Sequence, residues 1–542
     1  MPNGPDNKLH DLKWNLEEFA TKDPFDVSRA NKIADNIKKY TSHLIQFVLK
    51  ILESPTDILG SRLVVKLSDH WTGSSLLRQT SDGTNIVPLM QWECLEEVES
   101  WPSEYRPLAV TVVRSTACLN FESGETQQPV LSVKSVRVLA LSARPFGDND
   151  VPHRLVTRTI YQVVQSLETQ QYPPELIIAR PGSIESLDRE LGSHPTGYFD
   201  IVHLDVHGEA DEDSATLLFL ENAEPTNVKR VEAYQLGKVL RNHGVRCVIM
   251  NACQSAALVH NFTRSLVQEG IPMVLGMQYK LLETAAEILT TTLYEGLLAR
   301  NQSLPDACAY ARSKLRAIPS RRTNYNTTVR VLDYMNPVLF MAERFEEPDL
   351  REIGNAPQVA ANAFEVEQGL LGRESVMLDM ENDFLTFSNL GFLTGIAGSG
   401  KSALAAHLSW WWKATGLICG TLHIDFASFG SLEWKDIVQL FCDEVRQLKI
   451  DHQDVNSEEK LLQHLQHYRY LVLFDSIDAL GSVAPIQLLD SIIKFSKTLK
   501  KRYKKSKVGS LILFVSRDEQ NRLRADTAAQ VFPLQGLVRF LG

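Results

Sequence analysis

Asp200-Ile201-Val202-His203-Leu204-Asp205-Val206-His207-Gly208 and Val248-Ile249-Met250-Asn251-Ala252-Cys253-Gln254-Ser255-Ala256 decide the fold of this chain. Each opens as an apolar run of strand length and closes on a residue that can do chemistry, an imidazole in one and a thiol in the other. Helical patterns around 233–241 and 256–269 separate and follow these runs, and strand, helix, strand in succession builds a parallel sheet. Neighbouring parallel strands end at one edge, so His207 and Cys253, 46 residues apart, can meet in the crevice beyond their carboxyl ends.

The same alternation extends outward. Apolar runs at Val136–Leu141, Leu176–Ala179 and Met273–Leu275, with helical patterns around 153–168 and 283–299, predict a mostly parallel sheet with helices on both faces. Pro337–Phe340 reads as its last strand, and Leu63–Leu67 and Leu108–Val113 as earlier short strands. Before them, Leu9, Leu12, Leu16 and Phe19, then Ile33, Ile37, Tyr40, Leu44, Val48 and Ile51, recur at helical spacing, so residues 1–58 form a helical segment. Two amphipathic helices must bury their stripes, and packing within the protein is the preferred reading. Polar sequence over 346–368 reads as a linker, after which a second α/β pattern runs to Gly542.

At roughly 100–200 residues per domain, 542 residues make three or four domains. Lys and Arg number 56 against 66 Asp and Glu, a net charge of −10, which argues against specific nucleic-acid binding through phosphate neutralisation. No run reaches the ~18 apolar residues of a membrane span. The start, Met1-Pro2-Asn3-Gly4-Pro5-Asp6-Asn7, has neither a basic nor an apolar leader region, so a cytoplasmic location is expected. Seven scattered cysteines without metal-type pairs fit reduced thiols.

Gly395-Ile396-Ala397-Gly398-Ser399-Gly400-Lys401-Ser402 fits G-x-x-x-x-G-K-[ST] between an apolar run and a helical stretch. Glycines at 395, 398 and 400 let backbone N–H groups curl around phosphate oxygens, Lys401 reaches the β- and γ-phosphates, and Ser402 ligates Mg²⁺. Leu471–Phe474 then delivers Asp475 as a second support for Mg²⁺. Asp478 serves either to polarise an attacking water or to solvate the loop, and Arg517, after Leu511–Val515, is placed to sense the terminal phosphate. With Leu371-Gly372-Arg373-Glu374 upstream, residues 369–542 resemble the STAND class of signalling P-loop NTPases, which includes NB-ARC and NACHT modules. The resemblance implies ATP or ADP with Mg²⁺ as cofactor, Arg373 in the nucleotide pocket, and homo-oligomerisation on activation. The lid and winged helix of that class do not follow Gly542, so the resemblance implies a truncated module.

A thiol is only a few per cent thiolate near neutral pH, so Cys253 as nucleophile needs an imidazole beside it, and His207 fills that role as general base and acid. Gly208 lets its N–H approach a substrate closely, and with the Cys253 N–H it cradles an oxyanion. These residues resemble the caspase-like peptidases, and more closely the CHAT domains related to caspases and separases, over about 60–345. Pro88-Leu89-Met90-Gln91-Trp92-Glu93, Arg114, Leu141-Ser142-Ala143-Arg144-Pro145 and Asn336-Pro337-Val338 resemble further segments of that family. Basic-specific relatives carry an aspartate two residues before the nucleophile, where this chain has Asn251. Asn251 and Asp205, the latter on the strand face of His207, are candidates for the substrate pocket, and for Asp205 a structural role stays equally open. His203, further down that face, reads as a packed core residue.

Two features remain. The basic run Lys494, Lys497, Lys500, Lys501, Arg502, Lys504, Lys505 and Lys507 reads as a solvated helix end, and Trp410-Trp411-Trp412 spans most of a helix circumference, so at least one ring packs. The expected architecture is a helical segment, a caspase-like α/β sandwich with a parallel sheet, and a P-loop NTPase α/β domain. The resemblance implies a cysteine endopeptidase that needs no cofactor of its own, under nucleotide control, in NLR-like immune or cell-death signalling, with a protein substrate of gasdermin-like kind. The competing reading is a catalytically silent caspase-like platform on an ATP-dependent scaffold.

Overall fold

The computed structural model describes residues 11–52, 55–68, 91–117, 135–146, 154–210, 215–221, 227–253, 256–323, 325–343, 373–428, 433–448, 455–480, 486–506, 509–517 and 521–535. The expected linker, Pro88–Met90, Leu371-Gly372 and Gln254-Ser255 lie outside them. The chain divides into two compact units, the first comprising Met1–Pro145, Arg154–Glu221 and Asn227–Ala363, the second mainly Phe364–Gly542.

Thirteen strands are described in the first unit: β1 (Arg62–Ser68), β2 (Ala109–Thr116), β3 (Arg137–Ser142), β4 (Glu175–Ile178), β5 (Ile201–Asp205), β6 (His207–Ala210), β7 (Ala215–Leu220), β8 (Val228–Glu232), β9 (Cys247–Cys253), β10 (Met273–Met277), β11 (Ser320–Arg322), β12 (Thr328–Arg330) and β13 (Pro337–Ala342). Eight form one sheet in the order β1-β2-β13-β10-β9-β5-β3-β4. From β10 to β4 every neighbour is parallel, as the alternating sequence predicts. β13, however, pairs antiparallel with β10 and parallel with β2, so two parallel blocks meet at a seam. The cause is the connection after β10: two packed helices, Glu283–Tyr294 and Leu304–Ala317, replace the single crossover helix. One helix returns the chain to the starting edge of the sheet and a second carries it back, so the next strand must run the other way.

Strand alternation divides β5 and β9 between two layers. Val202, Leu204, Val248 and Met250 join a core with Leu187, Leu236, Leu240 and Leu266 from the helices on one face. Ile201, His203, Asp205, Ile249 and Asn251 belong to the other face, where Tyr294 meets His203. The chain places β4 on one side of β3 and β5 on the other, a reversal of strand order of the kind beyond whose carboxyl ends open α/β sheets bind ligands.

The helix Val27–Ile51 starts at Asp26, whose side chain accepts from the Arg29 N–H at 2.9 Å. Its Leu44, Ile45 and Leu49 pack on Trp92, Leu95, Trp101, Val110 and Val112, so the N-terminal stripe is covered within this unit. Asn15 Oδ1 and Glu17 Oε1 accept main-chain N–H groups of Leu332 and Lys280 at 3.3 and 3.1 Å. The segment singled out as Gln91-Trp92-Glu93 acts structurally: Glu93 forms a buried fork with Arg114, with Nη2 at 3.0 and 3.1 Å from its two oxygens.

The second unit holds β14 (Leu390–Thr394), β15 (Gly420–Asp425), β16 (Tyr470–Asp475), β17 (Leu511–Ser516) and β18 (Gln530–Pro533) in the order β15-β16-β17-β14-β18, all parallel. Its first strand and the helix Lys401–Ala414 flank the glycine-rich turn. Trp411 and Trp412 are buried, Trp412 donating to Glu381 Oε2 at 2.8 Å, and Trp410 is half-buried against His407. In the basic run, Lys500 Nζ caps the carbonyls of Thr527 and Ala528, both at 2.8 Å, and Lys497 pairs with Asp526. No helix among the described residues is long and apolar enough to cross a membrane.

Candidate active site

β5 and β9 lie side by side in the register Val202↔Val248, His203↔Ile249, Leu204↔Met250 and Asp205↔Asn251. Continued by two residues, that register sets position 207 opposite position 253. The ladder itself ends at Asp205↔Asn251, because the chain leaves β5 and β6 pairs instead with β7 in a separate three-stranded sheet, β6-β7-β8. β6 still neighbours β9 as it departs, while β9 continues to Cys253 beside Met277 of β10. His207 and Gly208 are half-buried, and Gly208 sits opposite Leu217.

Immediately below His207 lies a network of which the sequence shows only the separate members. Asp205 is 3% exposed. Its Oδ2 pairs with Arg144 Nη2, and its Oδ1 accepts from Asn251 Nδ2 at 3.2 Å. Arg144 Nη1 also donates to the Asp205 carbonyl at 2.9 Å, as does the Ala143 N–H at 3.0 Å. Burial pushes the Asp205 carboxyl above the usual carboxylate range, while Arg144, the His207 imidazole and the Asn251 amide pull it back. Arg144 therefore supplies the countercharge that a buried carboxylate requires. Nothing local in the sequence pairs residues 144 and 205. The signal was the strand end at 142 preceding an arginine, which gains meaning only once β3 and β5 are neighbours.

His203 is a core residue, as expected. Its Nδ1 lies 3.0 Å from the Tyr294 hydroxyl, its Nε2 is buried with no hydrogen-bond partner among the described residues, and desolvation lowers its pKa to about 3. It is neutral in the folded protein. The hairpin sheet β6-β7-β8 lies outside the alternating strand-helix pattern of the sequence, its one usable strand signal being the apolar run Thr216–Leu220 preceded by acidic residues.

In the second unit the loop residues come together. Gly398 and Gly400 have φ of +77° and +90°, a region that side chains rarely adopt. Lys401 is buried, and its Nζ donates to the carbonyls of Gly395 and Ile396 at 2.8 and 2.9 Å. Ser402 Oγ donates to Asp475 Oδ1 at 3.2 Å, and Arg373 Nη2 to the Ser399 carbonyl at 3.1 Å. Asp478 and Arg517 pair with each other at 3.1 Å, Asp478 also accepting the Arg517 N–H at 3.1 Å. Among the described residues, no group of three His, Cys, Asp or Glu is arranged to hold a metal.

A family model described as the CHAT domain matches residues 108–418, more than half of the chain, and the chain belongs to that family of caspase-like cysteine peptidases. The match runs through the large sheet and on past the glycine-rich turn. Among solved structures, the Arg-specific cysteine proteinase gingipain R (RGPB) is similar at 12% identity and a TM-score of 0.31, over 55% of this chain and 79% of that one. The cytoplasmic domain of the Thermomonospora curvata type VII secretion ATPase EccC is similar at 11% identity and a TM-score of 0.18, over 74% of this chain and 53% of that one. No curated protein matches the chain.

Proposed function

We propose that the protein is a cysteine endopeptidase with His207 and Cys253 as its catalytic pair. The single observation that supports this reading is the β5–β9 register, which, continued by two residues, sets positions 207 and 253 opposite each other at one sheet edge. His207 takes the proton of the Cys253 thiol, and the thiolate attacks the scissile carbonyl carbon. The N–H groups of Gly208 and Cys253 hold the oxyanion that forms. As the C–N bond breaks, the imidazolium gives its proton to the leaving amine, and water then hydrolyses the thioester. The test is peptide-library cleavage by the full chain, wild type beside Cys253→Ala, both free and artificially clustered. Sequence-selective cleavage by the wild type alone is expected. Equal background cleavage in every arm favours instead a caspase-like platform without activity.

A second activity is favoured by the turn between β14 and the following helix: a nucleoside triphosphate with Mg²⁺ bound by residues 369–542. The donor set fits that ligand. Gly395 packs so closely on the Leu534 carbonyl that a Cβ there would lie 2.4 Å from its oxygen, Gly398 and Gly400 free the loop N–H groups, and Lys401 is already drawn over the loop. Ser402 and Asp475 would hold the metal and Arg373 would brace the loop at Ser399. The bound nucleotide supplies a terminal phosphate whose presence or absence distinguishes two states of the chain. Arg517 can reach it only by releasing Asp478, and Asp478 can polarise water only once released. Nucleotide-driven self-association would then bring peptidase units together in an immune or cell-death setting inside the cell, on a gasdermin-like protein substrate. Radiolabelled ATP binding by wild type against Lys401→Ala tests this part.

A further inference from the structure

We infer that Arg144, Asp205 and Asn251 form a positioning clamp that holds the strand ends bearing His207 and Cys253 at a fixed separation, and are not a subsite for a substrate side chain. The inference rests on the catalytic pair proposed above and adds to it what keeps the pair together.

Main-chain pairing cannot do so. The β5–β9 ladder stops at Asp205↔Asn251, two residues short of the pair, and β6 turns away to join β7. At that last rung side chains replace the ladder. Arg144, two residues past β3, grips both the carbonyl and the carboxylate of Asp205, and Asp205 in turn holds Asn251. A line of hydrogen bonds thus runs sideways across β3, β5 and β9, adjacent strands of the sheet, one pleat below positions 207 and 253.

The same geometry withdraws Asp205 and Arg144 from a substrate. Asp205 is buried, its two oxygens are taken by Asn251 and Arg144, and its charge is cancelled, so Asp205 offers no free carboxylate to a basic side chain. It also accounts for asparagine at 251. A carboxylate there would face Asp205 at hydrogen-bond distance as a like charge, whereas the amide supplies the N–H that the link needs. The cost is visible: Asn251 Oδ1 is buried without a hydrogen-bond partner among the described residues, and the amide keeps its donor on Asp205 nonetheless.

Alkylation of Cys253 by iodoacetamide at neutral pH, followed by peptide mass mapping in the full chain, separates the alternatives because the small reagent needs no substrate subsite. Wild type is compared with His207→Ala, Asn251→Ala and the near-isosteric Asn251→Asp, and peptide hydrolysis is measured alongside. Wild-type Cys253 is expected to react at least about tenfold faster than in His207→Ala. Both Asn251 variants should fall to near the His207→Ala rate, with kcat reduced about 10- to 100-fold and KM within about twofold, because misplacement by an ångström costs that much. Wild-type thiol reactivity in both Asn251 variants, with KM raised or a new preference for basic peptides in Asn251→Asp, overturns the clamp and leaves the catalytic pair standing. Equal reactivity of wild type and His207→Ala overturns the pair, and the clamp with it.

Discussion

His203 gives the structure a measurable dependence on pH that its packing alone predicts. The imidazole is buried beside Tyr294, and its pKa falls from the ordinary 6.5 to about 3. The unfolded chain therefore binds a proton that the folded chain refuses. Stability from this group is intact above about pH 6.5 and is lost as pH falls through the window between 6.5 and about 3. Each pH unit below the unfolded pKa costs about 1.36 kcal/mol per proton, so the 1.5 units from 6.5 down to pH 5 cost about 2 kcal/mol. At pH 5 the folded imidazole is still neutral, so the whole term comes from the unfolded state. His203→Leu removes it. Whatever constant offset the variant has, from lost packing or from the Tyr294 hydroxyl left without its ring nitrogen, the difference between pH 7 and pH 5 isolates the titration. Urea unfolding of wild type and His203→Leu at the two pH values, following the transition of the first unit, should show the wild type losing about 2 kcal/mol more than the variant. Equal losses in the two proteins would mean that His203 is protonated or solvated in the fold, and the desolvated core position would be wrong.

Arg144→Met leaves Asp205 buried without its countercharge and should destabilise the first unit by about 3–5 kcal/mol, while Arg144→Met with Asp205→Leu should recover most of that in the same unfolding assay. Gly182→Ala would place a Cβ 2.2 Å from the Ser142 carbonyl oxygen and 2.8 Å from Ala143 Cα, backbone atoms that cannot move without shifting Arg144. A melting shift equivalent to at least about 1–3 kcal/mol is expected, together with reduced peptide cleavage. Lys401→Ala should abolish nucleotide binding yet leave peptide cleavage by artificially clustered protein intact, as a cleavage assay on both forms will decide.

The local order of residues already determined a good deal. Runs such as Ile201–Val206 and Cys247–Met250, set between helical periods, fix strands and parallel crossovers, because hydrophobic periodicity and chain handedness are local properties. The turn from Gly395 to Ser402 was readable for the same reason: glycine tolerates positive φ wherever it stands, and that tolerance is written in the residue type. What the sequence could not decide were relations between residues far apart along the chain. The partner of Asp205 was one such relation: Arg144 meets it only because β3 and β5 are neighbours. The antiparallel seam at β13 depended on two helices packing as a pair, and the neutrality of His203 on Tyr294, 91 residues away, closing over it. Such outcomes follow from which surfaces are excluded from water together, and desolvation, unlike periodicity, is a property of the assembled fold.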